Sequence, residues 1–429
     1  MAGTVLADMR RLLPALLLVL AACTGNGSAA TTTTGVTADG QEATTTAAPE
    51  TTTTTMAEPP GIEDLPPELQ IEVETLIAVT EEARGLEFND PPVINVVSTD
   101  ELAQLVREDV EESLEDVEVD EALYDLLGLI EAETSLIELY SSVLGEQVAG
   151  FYDPDTKELV VPMRQDTFSA LERTTLVHEL THALTDQHFD FGAYYERLFD
   201  GDRFDEAAAY QALIEGDAVT TELEYLFTLD ADQQREIIEE SFGIESTALD
   251  AAPRFIQESL IFPYVQGQMF VETLSAAGEE AVNDAYTNPP VSSEQIITPS
   301  DFETDPPVEI RLPVLALDGY ESAYASVWGE LSFQLMFNQV LGGNDDASAG
   351  WGGDRYEVFF DGEDVAMALR YAGDTSTDVS EMMSALSEYI DVVIQSDEFA
   401  QVWTQDDHLW LVVAGDRVVG QTLVDQLES

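Results

Sequence analysis

Residues 169–185 constrain the fold of this chain more than any other stretch. Ser169-Ala170-Leu171-Glu172 matches a capping box, in which serine and glutamate satisfy each other's free backbone N–H groups at a helix start. The helix is expected to run to about Thr185, with Leu176, Leu180 and Leu184 as its core stripe. Inside it stands His178-Glu179-Leu180-Thr181-His182. Histidines at i and i+4 project from one helix face, so both can grip one metal ion. Glu179 lies beside them, where its carboxylate comes close to a water bound by that metal. The chain has four histidines, and two of them stand in this register around a glutamate.

Cysteine usage narrows the chemistry further. Cys23 is the single cysteine, so no disulfide forms within the chain and no cysteine-rich zinc site is available. A metal must be held by histidine and carboxylate. A cysteine nucleophile is excluded, no Gly-x-Ser-x-Gly elbow is present, and neither a phosphate loop nor a dinucleotide fingerprint is visible. The 429 residues are 45% hydrophobic, enough for a sizeable core. Lys and Arg total 15 against 86 Asp and Glu, a net charge of -71, and Lys157 is the only lysine. That balance excludes nucleic-acid binding, which needs clustered cations to displace counterions. It equally excludes a polybasic grip on anionic lipid.

The amino terminus reads as a targeting segment. Arg10 and Arg11 precede the apolar run Leu12 to Leu20, the build of a secretory signal peptide and too short to span a bilayer comfortably. Leu20-Ala21-Ala22-Cys23 follows directly and resembles the lipobox of bacterial lipoproteins. The resemblance implies cleavage before Cys23, lipid on Cys23, and an anchor on the outer face of the bacterial cell membrane. Residues 1–23 are therefore expected to be a lipoprotein signal peptide. Residues 24–60, with threonine runs at 31–34 and 51–55, are expected to be a disordered tether, because they cannot bury enough apolar surface to offset the entropy of ordering.

Beyond residue 60 the pattern is helix-rich α+β. Helical spacing covers residues 66–82, 101–110, 123–143, 205–229, most of 250–285, and 326–340. Residues 92–98 form a short β-rich run. A hairpin is expected from Val148 to Val161, with Asp153-Pro154-Asp155 as its turn. Residues 356–360 and 409–413 read as strands. A boundary is placed near residue 310. Residues 61–310 carry the candidate site, and 311–429 form a C-terminal α+β region that could be continuous with them.

The histidine-bearing helix, capped and following a hairpin, resembles that of the zincin metallopeptidases over about residues 145–225. The resemblance implies a small sheet packed on this helix, an edge strand that pairs with the substrate backbone, Zn2+ as cofactor, and a protein or peptide as substrate. Glu179 would be the general base. Two residues compete to be the third ligand. His188 has the spacing of the metzincin subgroup, but Thr185 stands where that subgroup has a turning glycine. Glu215, in Ile214-Glu215-Gly216-Asp217-Ala218, resembles the gluzincin arrangement, in which a glutamate of a following helix completes the site. Gly216 would let the helices approach, and Asp217 would orient a ligand histidine from behind. A gluzincin-like site of His178, His182 and Glu215 is the expectation. Tyr152, Tyr264, Arg355 and His408 are candidate transition-state donors. Gly350 to Arg355 could line a cleft or form a tight loop around a buried Trp351. Two other functions stay open: a non-catalytic surface lipoprotein that uses the fold to bind or scaffold, and a zinc hydrolase acting on a non-peptide bond.

Overall fold

The computed structural model describes residues 13–16, 62, 65–114, 117–162, 167–242, 246–343 and 345–429. Cys23 and the threonine-rich tether lie outside the described residues, as does the expected signal peptide except for Leu13–Leu16.

The first half builds a sheet under helices. Strand β1 is Leu13–Leu16 and helix α1 is Pro67–Arg84. β2 (Val93–Val97) leads into α2 (Thr99–Ser113), whose start is capped by Ser98. α3 (Glu118–Leu126) and α4 (Leu136–Gln147) replace the single expected helix over 123–143. Gly128, in the left-handed region at φ 66°, lies in the turn between them. The hairpin follows as β3 (Val148–Asp153) and β4 (Glu158–Pro162). The sheet order is β1-β3-β4-β2, with β2 parallel to β4 and the other pairs antiparallel.

α5 (Ala170–Phe189) carries the two histidines, and its capping box is formed by Ser169 and Glu172. α6 (Phe191–Asp200) and the long α7 (Phe204–Thr228) come next. α8 (Ala231–Ser241), α9 (Thr247–Ala251), α10 (Arg254–Ser275), α11 (Glu279–Thr287) and α12 (Ser293–Ile297) complete the helical part. α7 and α10 touch backbone to backbone. A Cβ on Gly216 would lie 2.2 Å from the Gly267 carbonyl, and one on Gly267 2.0 Å from the Ala212 carbonyl. The role expected of Gly216 is therefore met.

The second half is β5 (Glu321–Ser326), α13 (Gly329–Leu341), α14 (Asp345–Ser348), β6 (Trp351–Phe360), β7 (Val365–Gly373), α15 (Ser376–Val393), β8 (Phe399–Gln405), β9 (His408–Ala414) and α16 (Arg417–Leu427). Its antiparallel sheet has the order β5-β6-β7-β9-β8. The fold is helix-rich α+β, as the patterning indicates. One buried apolar cluster runs from Leu65 through Tyr324 and Leu369 to Val413, so the core continues across residue 310. Among the described residues no helix is long and apolar enough to cross a membrane.

Candidate metal centre

α5 is buried along nearly its whole length although many of its residues are polar. Buried polar groups need partners, and three of its four threonines find them on their own helix, Thr175 being the exception. Thr174, Thr181 and Thr185 each donate a hydroxyl hydrogen bond to the carbonyl four residues earlier, at 3.1, 2.8 and 2.8 Å. The face bearing His178, Glu179 and His182 is different. There the partners come from α7, which crosses beside it.

Glu215 projects from α7 between the two histidines. Its Oε2 lies 3.2 Å from His178 Nε2 and 3.5 Å from His182 Nε2. One candidate ligand atom from each of the three residues falls within 4.8 Å of the others. All three side chains are buried, as is Glu179. Among the described residues, both ring nitrogens of His182, both carboxylate oxygens of Glu179 and Oε1 of Glu215 have no hydrogen-bond partner. Leaving one such group buried and unmatched costs about 1–3 kcal/mol. A dication between His178, His182 and Glu215 would use the donor set that is otherwise stranded, and two imidazoles with one carboxylate is a set that suits zinc. The residues present fit the metal.

Charge in the site follows from burial and contact. Burial tends to neutralise His178, but hydrogen bonds to Glu215 and Glu222 outweigh it and raise the ring to about 10. His182 is held below the usual histidine range by burial. Burial pushes Glu215 up, but both histidines pull it below the usual carboxylate range. Burial raises Glu179 to about 8, so its carboxyl holds a proton far more readily than a surface glutamate.

One expectation changes in the structure, and the alternative third ligand falls outside the cluster. Asp217 does not orient a ligand histidine. Arg84 Nε stands 2.7 Å from its Oδ1, and the Tyr286 hydroxyl donates to its Oδ2 at 2.9 Å. The buried pair ties α1 and α11 to α7 two residues from Glu215. The carboxylate behind a ligand histidine is instead that of Glu222, 3.2 Å from His178 Nδ1. It stands seven residues after Glu215, two turns along the same helix face, and that spacing is the signal the sequence held. His188 is not in the cluster. α5 runs straight through Thr185 to Phe189, and His188 Nε2 meets the Glu87 carbonyl at 2.8 Å. A helix that never turns carries the ring away from the first two histidines.

Of the donor candidates, Tyr264 is at the site, stacked on His178 with ring centroids 6.3 Å apart. Tyr152 spends its hydroxyl on Asp186. Arg355 donates to the Ala325 carbonyl, and His408 lies beside Arg370 and the Asp406 carbonyl. Trp351 to Arg355 open β6, with Trp351 buried, and Trp351, Gly353, Asp354 and Arg355 line a cavity of about 760 Å³ of which none of His178, Glu179, His182 and Glu215 is a wall.

Residues 318–427 match the family model of a domain of unknown function, DUF8575. The match takes in β5 to α16 and leaves His178, Glu179, His182 and Glu215 outside it. No curated protein and no solved structure matches the chain significantly.

Proposed function

We propose that this protein is a zinc-dependent peptidase with a zincin-like core, anchored by lipid on Cys23 to the outer face of a bacterial membrane. The observation that carries the reading is the buried group His178, His182 and Glu215 with Glu179 beside it and unpartnered. Zinc, when bound there, acts as a Lewis acid and lowers the pKa of a bound water.

The chain's own residues do the rest. Glu222 accepts from His178 Nδ1–H and so directs the Nε2 lone pair toward the ligand position. Glu179 takes a proton as the water oxygen bonds to the scissile carbonyl carbon, and passes it to the departing amide nitrogen as the C–N bond breaks. The outer edge of β3 carries Leu13–Leu16 as an antiparallel strand, which supports an edge able to pair with an extended peptide. The depth of the site favours a second reading, a structural zinc in a scaffold. A stranded buried Glu179 argues against it, because a purely structural site has no use for a base.

The test is metal content followed by turnover. One zinc per chain is expected in wild type, lost in Glu215→Ala and kept in His188→Ala. Cleavage of an unstructured protein such as casein should follow zinc. A folded wild type that takes up no added zinc would sink the peptidase and the structural-zinc readings alike, leaving a metal-free scaffold.

A further inference from the structure

Asp186 is a buried acid on α5 that the reaction does not use. It lies one turn beyond His182 and gathers three separate elements on one carboxylate. Tyr152 of β3 donates its hydroxyl to Oδ2 at 2.7 Å. Lys157, in the turn after β3, places Nζ 2.5 Å from the same oxygen. The backbone N–H of Gly192, at the start of α6, donates to Oδ1 at 3.1 Å. Lys157, the only lysine among 86 acidic residues, would meet some acid by chance and also lies 3.6 Å from Asp190, so the enclosed Tyr152 and Gly192 contacts carry the argument.

The packing around this carboxylate leads back to the site. Phe191 sets its ring edge-on to Tyr152 and also to His182, with centroids 6.2 Å apart in each case. Gly192, the next residue, is pressed against the hairpin turn, since a Cβ there would stand 2.5 Å from Pro154 Cβ. Asp186 thus ties the hairpin turn, the strand beside α5 and the aromatic ring on a metal ligand to the helix that bears both histidines. Lys157 is about half exposed, so its pair is the weaker leg. The Tyr152 bond is fully enclosed and is the stronger one.

We propose that Asp186 is a positioning residue that fixes strand β3, and with it the substrate's pairing edge, against the metal-binding helix. Its role as a substrate-side device rests on the peptidase reading above. Its mechanical part does not.

The test is amide hydrogen exchange on the intact, zinc-loaded protein, with peptide kinetics in parallel. Tyr152→Phe should speed exchange at residues 150–153 by about tenfold, the scale of one hydrogen bond to a charged group. Lys157→Met should do so by roughly threefold, and Lys157→Arg should stay as wild type. Exchange at residues 178–182 and zinc content should not change in any of them. In turnover, KM for an extended peptide should rise about tenfold in Tyr152→Phe, by more than kcat falls, because the Tyr152 backbone also touches Glu179. Unchanged exchange at 150–153 in both weakening variants would overturn the assignment, and so would an equal rise at 178–182, which marks general destabilisation. A fall in kcat at constant KM would overturn the substrate-side role. A wild type that binds zinc and cleaves nothing removes the peptidase reading, and the exchange result then decides the mechanical part alone.

Discussion

Two buried carboxylates, one in each half of the molecule, show how a site differs from a core. Asp354, in β6, is enclosed, and it accepts from Trp328 N at 2.7 Å, Gly329 N at 2.9 Å and the Trp351 indole at 2.7 Å. Every one of its contacts holds the fold together. Glu179 is as deeply enclosed, yet apart from a loose contact with the Tyr152 backbone N–H neither of its oxygens has a hydrogen-bond partner. Burial alone does not distinguish them, because both carboxyls are raised by desolvation, Glu179 to about 8 and Asp354 to about 6. What separates them is satisfaction. Most groups that folding alone requires are met by the chain; Thr175, Ser292 and the Trp328 indole also stand unmatched, so it is the place of Glu179 beside two histidines and Glu215 that singles it out. A group kept for chemistry is left open toward something the chain does not supply.

Removing each group should therefore do opposite things. Glu179→Gln keeps the shape and discards the base. Turnover of a peptide should fall by about 10²–10⁴-fold, with zinc stoichiometry and unfolding midpoint unchanged. Retained turnover would remove Glu179 as the base. Asp354→Ala should act on stability instead. It strands three buried N–H groups at about 1–3 kcal/mol each, partly recovered by water, so a loss of about 3 kcal/mol is expected in denaturant titration. Zinc affinity should not move. If Asp354→Ala also released zinc, the division between a structural and a chemical half would fail.

A smaller effect sharpens the same line inside the site. On the proposed reading Glu222, 3.2 Å from His178 Nδ1, supports a ligand without being one. Glu222→Gln should weaken zinc binding by about 10–100-fold, measured against a competing chelator, where Glu215→Ala abolishes it. Equal losses in the two would place Glu222 among the ligands.

The part of this that a sequence discloses is the local part. The start of α5, the hairpin and the spacing of His178 and His182 are set by residues within a few positions of one another, and each was legible. Glu215 is legible only through the resemblance of Glu215-Gly216 on the next helix to the gluzincin arrangement, and the close approach expected of Gly216 is made with Gly267. Asp217 was misread because its partner, Arg84, is 133 residues away. Nothing near Asp217 announces an ion pair with another helix. Glu222 and Asp186 were passed over for a related reason. In a chain with 86 acids, an acid is conspicuous only once its partner is known. β7 escaped because its buried run Val365–Leu369 alternates with nothing. A strand covered on both faces loses the two-residue period that betrays half-buried ones.

Asp205 joins the two halves and gives the finest test of their coupling. It opens α7, ten residues before Glu215, and accepts from Ser293 N at 3.1 Å. A Cβ on Gly329 would strike its Oδ1 at 1.9 Å, and Gly329 itself donates to Asp354. Burial raises Asp205 to about 7; hydrogen bonds from Ser293 oppose this, while Asp354 and Glu206 add to it. A carboxyl whose folded pKa lies above its unfolded one favours the folded state when protonated. Its contribution is complete below the ordinary carboxylate range and is lost as pH rises through about 7. Asp205→Asn removes that loss. Relative to wild type, the variant should gain stability as pH rises from about 4 to 7, by no more than about 1.4 kcal/mol per pH unit. About 1–2 kcal/mol in total is the reasonable scale, since the effective dielectric of real interiors is well above that of dry protein. A gap between variant and wild type that stays flat with pH would mean that Asp205 is ionised in the folded protein at all these pH values. Asp205 would then be an ion held by Ser293 against Gly329, and the two halves would be joined by charge rather than by a neutral buried acid.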